Sequence, residues 1–167
     1  MELEGRTWIF GDDISTDQIT PGRYFHLRSD LEKLAKHVLE DAREDFAKGV
    51  LPGDIVVGGR NFGQGSSREH APTVIKLAGV RAIVAKSVAR IFFRNCINIG
   101  LPVVMCDTSG IEEGDILSID LEKGVLEDKT KGFQLSFPPL PDIMTRILRE
   151  GGLVAHVRRY GDFNLED

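Results

Sequence analysis

Hydrophobic and polar positions follow two different periods along the first two thirds of the chain. Short apolar runs of the buried-strand type occur at residues 54–59, 81–85 and 102–106. Between the first two runs, Ala71, Val74, Ile75 and Ala78 recur at helical spacing. Strands that alternate with helices at this spacing predict right-handed βαβ units and therefore parallel strands.

The last third of the chain carries a different pattern. Apolar and polar residues alternate with period two from Gly114 to Asp120, which is typical of a half-buried strand. Turn signals at Lys123-Gly124 and Lys131-Gly132 separate this run from two further short runs, so antiparallel pairing is expected. The predicted strands are 114–120, 125–126 and 133–137, and the predicted helices that follow are 142–149 and 153–160.

The N-terminal third predicts fewer regular elements. Residues 7–10 form a strand candidate, and a helix is expected over 31–39 behind the capping box Ser29-x-x-Glu32. The polar stretch 11–23 carries few regular signals. No linker divides the sequence, so we expect one α/β domain over residues 1–167, with a mixed, mostly parallel sheet and a small antiparallel part.

Composition and charge exclude several classes of protein. With 167 residues, 41% hydrophobic and 28% charged, the chain has the composition of an ordinary soluble domain. Its formal net charge of −5 argues against general nucleic-acid binding, which requires a basic face. No apolar run has the length of a membrane span, and the acidic start, Met1 to Gly5, lacks a signal-peptide pattern. We therefore expect a cytoplasmic protein without a membrane or nucleic-acid partner.

The cysteines and histidines do not form a metal-ligand pattern. The two cysteines, Cys96 and Cys106, match no ligand spacing, and the four histidines are scattered. An iron–sulfur cluster usually needs three or four thiolates. The sequence therefore predicts that this chain alone binds no metal or cofactor.

The segment from Gly63 to His70, with the sequence GQGSSREH, carries the strongest chemical signal. It follows a predicted strand and precedes a predicted helix, so its glycines and free amides would favour a bound anion. Two hydroxyls and a guanidinium, on Ser66, Ser67 and Arg68, would lie at the same point. The alternative is structural, because Ser66-x-x-Glu69 is also a capping box. The segment is neither a Walker phosphate loop nor a complete dinucleotide fingerprint.

Several segments taken together resemble one protein family. The chain is similar to the small subunits of 3-isopropylmalate dehydratase and homoaconitase, which correspond to the C-terminal swivelling domain of aconitase. The resemblance covers nearly the whole chain in the expected order. It is carried by FGDDISTDQI (10–19), PGRY (21–24), GRNFGQGSSREHA (59–71), KSVARIFFRN (86–95) and NIGLP (98–102).

The resemblance implies a fold, a reaction and a partner. The fold would be a swivelling β/β/α-type domain. The reaction would be a hydro-lyase isomerisation, in which dehydration and rehydration move a hydroxyl of a hydroxy-di- or tricarboxylate to the neighbouring carbon. The [4Fe-4S] cluster of such enzymes lies on a separate large subunit, so this chain would be active only with that partner.

The resemblance also assigns residue roles. Ser66 aligns with the family's catalytic base, which as an alkoxide removes the proton α to a carboxylate. Arg68 would bind a substrate carboxylate, with both ends of its guanidinium engaged. Ser67 would donate a hydrogen bond nearby.

The loop after Tyr24 bears on substrate choice in this family. Isopropylmalate enzymes present apolar residues there, whereas homoaconitases place an arginine against an additional carboxylate. The run His26-Leu27-Arg28 resembles the second pattern, although Arg28 is also compatible with a solvated position before a helix cap. We expect 3-isopropylmalate as the substrate, and hence a role in leucine biosynthesis. Homoaconitate, a broad specificity, and a carboxylate-binding regulatory module or scaffold without catalysis remain alternatives.

Other residues of the matching segments have less specific expectations. Asp13, Asp17 and Arg23 are expected to hold their loop in shape. The residues Arg90, Arg94 and Asn95 are expected to support the site indirectly, to face the large subunit, or to form an ordinary solvated helix face. His26 and His70 are weak candidates for proton transfer.

Overall fold

A computed structural model describes residues 1–66 and 68–160 of the chain. The described residues form one mixed sheet of seven strands with helices packed against it. The strands are β1 (Glu2–Ile9), β2 (Ile55–Val57), β3 (Ala82–Ala85), β4 (Val103–Met105), β5 (Ile116–Asp120), β6 (Val125–Asp128) and β7 (Phe133–Ser136). The helices are α1 (Thr16–Ile19), α2 (Leu31–Ala35), α3 (Phe46–Gly49), α4 (His70–Leu77), α5 (Arg90–Asn98), α6 (Asp142–Arg149) and α7 (Leu153–Tyr160), with a 3₁₀ helix at Gly22–Leu27.

The sheet has the spatial order β4-β3-β2-β1-β5-β6-β7. Strands β1 to β4 run parallel, with Trp8 opposite Val56 and Val56 opposite Ile83. Every residue of β2 and β3 is buried, as expected for central parallel strands covered on both faces. The α/β class with a mixed sheet, predicted from the sequence, is confirmed.

The antiparallel part of the sheet is larger than predicted. Strand β1 is eight residues long and uses both edges: its Thr7–Ile9 end pairs with β2, and its Glu2–Arg6 end pairs antiparallel with β5. Strands β6 and β7 then extend the sheet, so three of its six ladders are antiparallel. The extent of the domain over residues 1–167 stays a prediction, since 161–167 lie outside the described residues.

Hydrophobic side chains form two clusters, one on each face of the sheet. Val56 and Ile83 belong to one cluster, and their strand neighbours Ile55, Val57 and Val84 belong to the other. This division follows from the period-two alternation of side chains along a strand. None of the helices in the described part of the chain combines the length and apolarity needed to cross a bilayer.

Helix starts differ from the sequence predictions in the N-terminal half. The capping box at Ser66 and Glu69 does not form, because α4 begins only at His70. Helix α2 is capped by Asp30, whose carboxylate accepts from Lys33 N at 3.2 Å, and not by the predicted box at Ser29. It also ends at Ala35, and the chain turns through a positive φ of 57° at Leu39.

The polar stretch after β1 is more ordered than predicted. Ser15 and Gln18 form a reciprocal capping box that starts α1, with Ser15 N donating to Gln18 Oε1 at 2.9 Å. Ser87 Oγ accepts a hydrogen bond from Asn61 N at 2.8 Å. Both contacts fix the segments that surround the glycine loop.

Candidate active site

The glycine loop after β2 is held between two other segments of the chain. Gly63 N donates to Ile14 O at 2.7 Å, and Thr16 N donates to Gln64 O at 2.8 Å. Gly63 has a φ of +80°, and a Cβ at this position would lie 2.2 Å from Phe92 Cγ. Only glycine therefore allows the loop to lie directly against the Phe92 ring.

Ser66 is exposed at the end of this loop and has two polar neighbours. Its Oγ accepts a hydrogen bond from Arg68 Nε at 3.2 Å and lies 3.4 Å from Thr16 Oγ1. The Thr16 hydroxyl donates to the Ser66 carbonyl at 2.8 Å, which fixes the serine backbone. A cation and a hydroxyl thus meet at the oxygen to which the family resemblance assigns the role of base.

Arg68 is half-buried, and all three nitrogens of its guanidinium have partners within the chain. Nε donates to Ser66, Nη1 donates to Thr20 O at 2.6 Å, and Nη2 forms an ion pair with Asp17 at 2.7 Å. The guanidinium therefore joins the serine to helix α1. Its predicted contact with a substrate carboxylate stays a prediction, and that contact requires the substrate to replace a present partner or to share a donor.

A cavity of about 220 Å³ opens beside Ser66. The first turn of α5 supplies one wall, in which Phe92 is buried and Ile91 is 55% exposed. No side chain of the described residues caps this helix, and Ala89 and Arg90 at its start line the cavity. The helix whose N-terminus meets the site is therefore α5 and not α4. The cavity is lined by Thr16, Gly63, Gly65, Ser66, Arg68, Ala89, Arg90, Ile91, Phe92 and Asn95.

The two remaining predicted substrate residues are Ser67 and Arg28. Ser67 lies outside the described residues, so its predicted role stays a prediction. Arg28 is exposed at the end of the 3₁₀ helix, where its guanidinium lies 4.2 Å from the centre of the Phe25 ring and donates to Phe25 O. It does not line the cavity, and its predicted substrate contact also remains untested.

Three other residues of the matching segments, His70, Asp13 and Arg23, have defined surroundings in the structure. Burial, and then the charge of Arg68, lower the pKa of His70, so this imidazole is neutral near pH 7. Asp13 accepts from Asn61 Nδ2 at 3.1 Å, and Arg23 forms ion pairs with Asp41 and Glu40. Asp13 and Arg23 hold their loops in shape, as expected.

Sequence reasoning missed the contribution of helix α1 to the site. Thr16 and Thr20 are buried and contact Ser66 and Arg68, respectively. The capping box at Ser15 and Gln18 was the signal that could have located this helix. It would still not have shown that the helix packs beside the glycine loop.

The two cysteines are free thiols, Cys96 buried and Cys106 partly buried. Burial raises the pKa of Cys96 well above its ordinary value, and burial followed by the charge of Asp107 raises the pKa of Cys106 to about 11. Both are therefore protonated thiols at neutral pH and poor nucleophiles. Across residues 1–66 and 68–160, no group of three or more His, Cys, Asp or Glu side chains has the arrangement of a metal site.

Comparison with known proteins establishes the class of this chain. A family model described as the aconitase C-terminal domain matches residues 17–107. The chain belongs to the aconitase C-terminal domain family.

The chain is also similar over most of its length to individual proteins of this family. The chain is 58% identical over 165 residues to 3-isopropylmalate dehydratase small subunit 2 of Archaeoglobus fulgidus, covering 99% of this chain and 100% of that protein. It is 53% identical over 154 residues to the methanogen homoaconitase small subunit of Methanothermobacter thermautotrophicus, covering 92% and 89% of the two chains. The crystal structure of 3-isopropylmalate dehydratase from Methanocaldococcus jannaschii superposes with a TM-score of 0.90 at 42% identity, over 96% of each chain.

Proposed function

We propose that this chain is the small subunit of a heteromeric hydro-lyase that isomerises 3-isopropylmalate by dehydration and rehydration, in leucine biosynthesis. The observation that carries the proposal is the position of Ser66 Oγ, at the mouth of a cavity and 3.2 Å from a guanidinium nitrogen. The names of the most similar relatives support the reaction class. We place the reaction in the cytoplasm.

Ser66 is the catalytic base in this proposal. A serine hydroxyl is too weak an acid to ionise by itself at neutral pH, so positive potential must stabilise its alkoxide. Arg68 Nε supplies a charge-assisted hydrogen bond to Oγ, and the first turn of α5 adds aligned backbone dipoles on the other side of the cavity. The oxygen would remove the proton α to a carboxylate while the hydroxyl leaves the neighbouring carbon, so that water is eliminated and a double bond forms. In the rehydration it would return a proton to the carbon that lost the hydroxyl, and a hydroxyl would add to the carbon that lost the proton.

The proposal requires a large subunit that carries a [4Fe-4S] cluster. When bound there, the cluster would supply Lewis-acid chemistry at the substrate hydroxyl and a carboxylate. The described residues include no group of three or more His, Cys, Asp or Glu side chains that could hold it. This chain would therefore contribute the base and substrate contacts, with the mouth of the cavity facing the partner.

The substrate proposal favours an alkyl group over an additional carboxylate. Ile91, Phe92 and Ala89 give the cavity an apolar wall that matches an isopropyl substituent. Homoaconitate is the second candidate, because a relative at 53% identity is named a homoaconitase small subunit. Acceptance of both substrates is a third possibility.

The test is reconstitution with the large subunit under anaerobic conditions, followed by kcat/KM measurements on isopropylmalate, homoaconitate and citrate. We expect isopropylmalate to be the best substrate. Ser66→Ala should lower kcat by about a thousandfold while leaving assembly intact. Ser109→Ala, which changes an exposed serine hydrogen-bonded to Asp107, is the matched control and should keep wild-type turnover.

Two results would contradict the proposal. A wild-type pair without dehydration of any of the three acids would favour a regulatory carboxylate-binding module. Substantial turnover by the Ser66→Ala pair would retain the reaction class but remove Ser66 as its base.

A further inference from the structure

The end of α4 that lies away from the glycine loop carries an exposed apolar patch. Leu77, the last residue of α4, is 49% exposed, and Leu51, which follows α3, is 58% exposed. The backbone of Leu51 lies beside Gly79, since a Cβ on this glycine would be 3.5 Å from the Leu51 carbonyl carbon. Both leucines therefore belong to one region of the surface, where apolar area is left in water for a partner to cover.

A groove of about 360 Å³ adjoins this patch, and Leu77 forms part of its wall. Ala35, Ala47, Val50 and Ala78 also line it, so its sides are largely apolar. Because these side chains are short, the groove has room for a larger side chain from outside. A projecting leucine beside an apolar groove allows two copies to interlock, since each copy supplies both the projection and the recess.

Two unpaired charges of opposite sign lie at the same groove. Glu32 and Lys36 line it, are exposed, and lie four positions apart in sequence. Within residues 1–66 and 68–160, neither side chain forms an ion pair or a hydrogen bond. A two-fold axis at the groove would bring Glu32 of each copy against Lys36 of the other, which gives two ion pairs. The charges therefore complement a second copy of the same surface.

The groove is remote from the cavity beside Ser66. Helix α4 begins at His70, close to the end of the glycine loop, and ends at Leu77. Its eight residues separate the two ends by about 12 Å. None of the described residues lines both the groove and the cavity. A second copy bound at the groove would therefore leave the cavity mouth free for a large subunit.

We propose that two copies of this chain associate through the groove about a two-fold axis. Leu77 of each copy enters the groove of the other, and Glu32 of each copy pairs with Lys36 of the other. The inference does not depend on the proposed reaction, because association is measured without turnover. With a large subunit at each cavity, the assembled protein would contain two copies of each subunit, and the small subunits would lie at its centre.

The experiment measures self-association of the whole chain by sedimentation equilibrium over a range of concentrations, alone and together with the large subunit. The variants are Leu77→Ser, Glu32→Lys, Lys36→Glu and the double variant that exchanges the two charges. Val154→Ser is the control for the apolar change, because Val154 is 63% exposed on α7 and does not line the groove. Lys33→Glu is the control for charge reversal, because Lys33 is exposed on α2 but does not line the groove.

We expect the wild-type chain to form a reversible dimer. Leu77→Ser should raise the dimer Kd by about 100-fold, because each dimer loses two buried leucine side chains. Each single charge reversal should raise Kd by at least about tenfold, since it brings like charges together twice in the dimer. The double variant restores opposite charges across the axis, so its Kd should return close to that of the wild type. Both controls should keep the wild-type Kd.

Four results would overturn the inference. The first is a wild-type chain that is monomeric at every concentration, both alone and with the large subunit. The second is a wild-type Kd in Leu77→Ser, which would place the dimer contact elsewhere. The third is a double variant that associates as weakly as the single charge reversals, or an equal loss in Lys33→Glu. The fourth is weaker binding of the large subunit in the groove variants, which would make the groove part of that interface.

Discussion

Asp17 Oδ1 lies 2.7 Å from Arg68 Nη2 and connects helix α1 to the end of the glycine loop. The ion pair is partly exposed, with side-chain exposures of 66% for Asp17 and 25% for Arg68. Water screens such a pair, so its contribution to folding stability is small. The ion pair instead orients the Arg68 guanidinium, which donates from Nε to Ser66 Oγ.

Asp17→Asn should therefore reduce activity far more than stability. We expect kcat of the assembled enzyme to fall about 10- to 100-fold, since Arg68 loses the partner that orients it. The free energy of unfolding should change by less than about 1 kcal/mol. Asp41→Asn removes a comparable pair with Arg23 at 2.6 Å, away from the cavity, and should keep kcat. Equal kcat for both variants would show that Asp17 does not position Arg68.

Thr16→Val should separate the positioning of Ser66 from general stability. The substitution removes the hydroxyl that donates to Ser66 O at 2.8 Å, which should cost about 1–3 kcal/mol of stability and lower kcat. Thr108→Val is the control, because that buried hydroxyl donates to Gly58 O at the same distance but does not line the cavity. Both variants should lose similar stability in chemical denaturation, and only Thr16→Val should lose kcat.

Gly63→Ala should disrupt the glycine loop. The added Cβ would lie 2.2 Å from Phe92 Cγ, and the φ of +80° is unfavourable for alanine. We expect a loss of at least about 2 kcal/mol in the free energy of unfolding, measured by denaturant titration. Gly11→Ala, where no atom lies within 4 Å of the added Cβ, should have a much smaller effect. A fully stable Gly63→Ala protein would contradict the close approach of the loop and the ring.

Asp128 and Asp115 form a buried acid pair that should make stability depend on pH. Burial, followed by the hydrogen bond with Asp115, raises the pKa of Asp128. Burial disfavours ionised Asp115, but hydrogen bonds with Asp128, Glu112 N and Lys131 outweigh it and lower the pKa of Asp115. Protonated Asp128 therefore stabilises the fold at pH values below the ordinary pKa of a carboxyl group. This stabilisation is lost as pH rises through the raised pKa of the folded state.

Asp128→Asn should remove that dependence. The amide stays neutral at every pH and preserves the acceptor for Lys131 N, which donates to Asp128 Oδ1 at 3.0 Å. Between about pH 4 and pH 8, Tm of the variant should fall less with rising pH than Tm of the wild type. Asp115→Asn should instead destabilise the protein near pH 7, because it removes the carboxylate that lies 2.9 Å from Lys131 Nζ. Parallel Tm profiles for Asp128→Asn and wild type would show that protonation of Asp128 does not contribute to stability.

Arg28→Ala tests the predicted role of the loop in substrate choice. Arg28 is exposed, and among the described residues its guanidinium engages only Phe25, so the substitution should leave the fold unchanged. If Arg28 meets an additional carboxylate in the assembled enzyme, kcat/KM on homoaconitate should fall about tenfold or more, and that on isopropylmalate should not. Equal changes for both substrates would remove Arg28 from substrate recognition.

The sequence by itself determined the strand–helix alternation, the final two helices and the chemical content of the glycine loop. Helices α6 and α7 have the bounds predicted from their apolar spacing, because local periodicity and the adjacent proline and glycine residues specify them. Ser66 and Arg68 were predicted to be site residues from the local residue order and the family resemblance. These are short-range features, so they can be recognised without knowing how the chain folds.

Tertiary structure alone decided how the site is assembled. Strand β1 pairs with both β2 and β5, so the antiparallel part of the sheet is larger than predicted. No local sequence pattern specifies this pairing. Packing also placed Asp17 and Thr16 against the glycine loop, and brought Arg90 to its other side. These contacts join residues far apart in sequence. They depend on how the buried surfaces of several elements fit together, a property that periodicity and residue type do not encode.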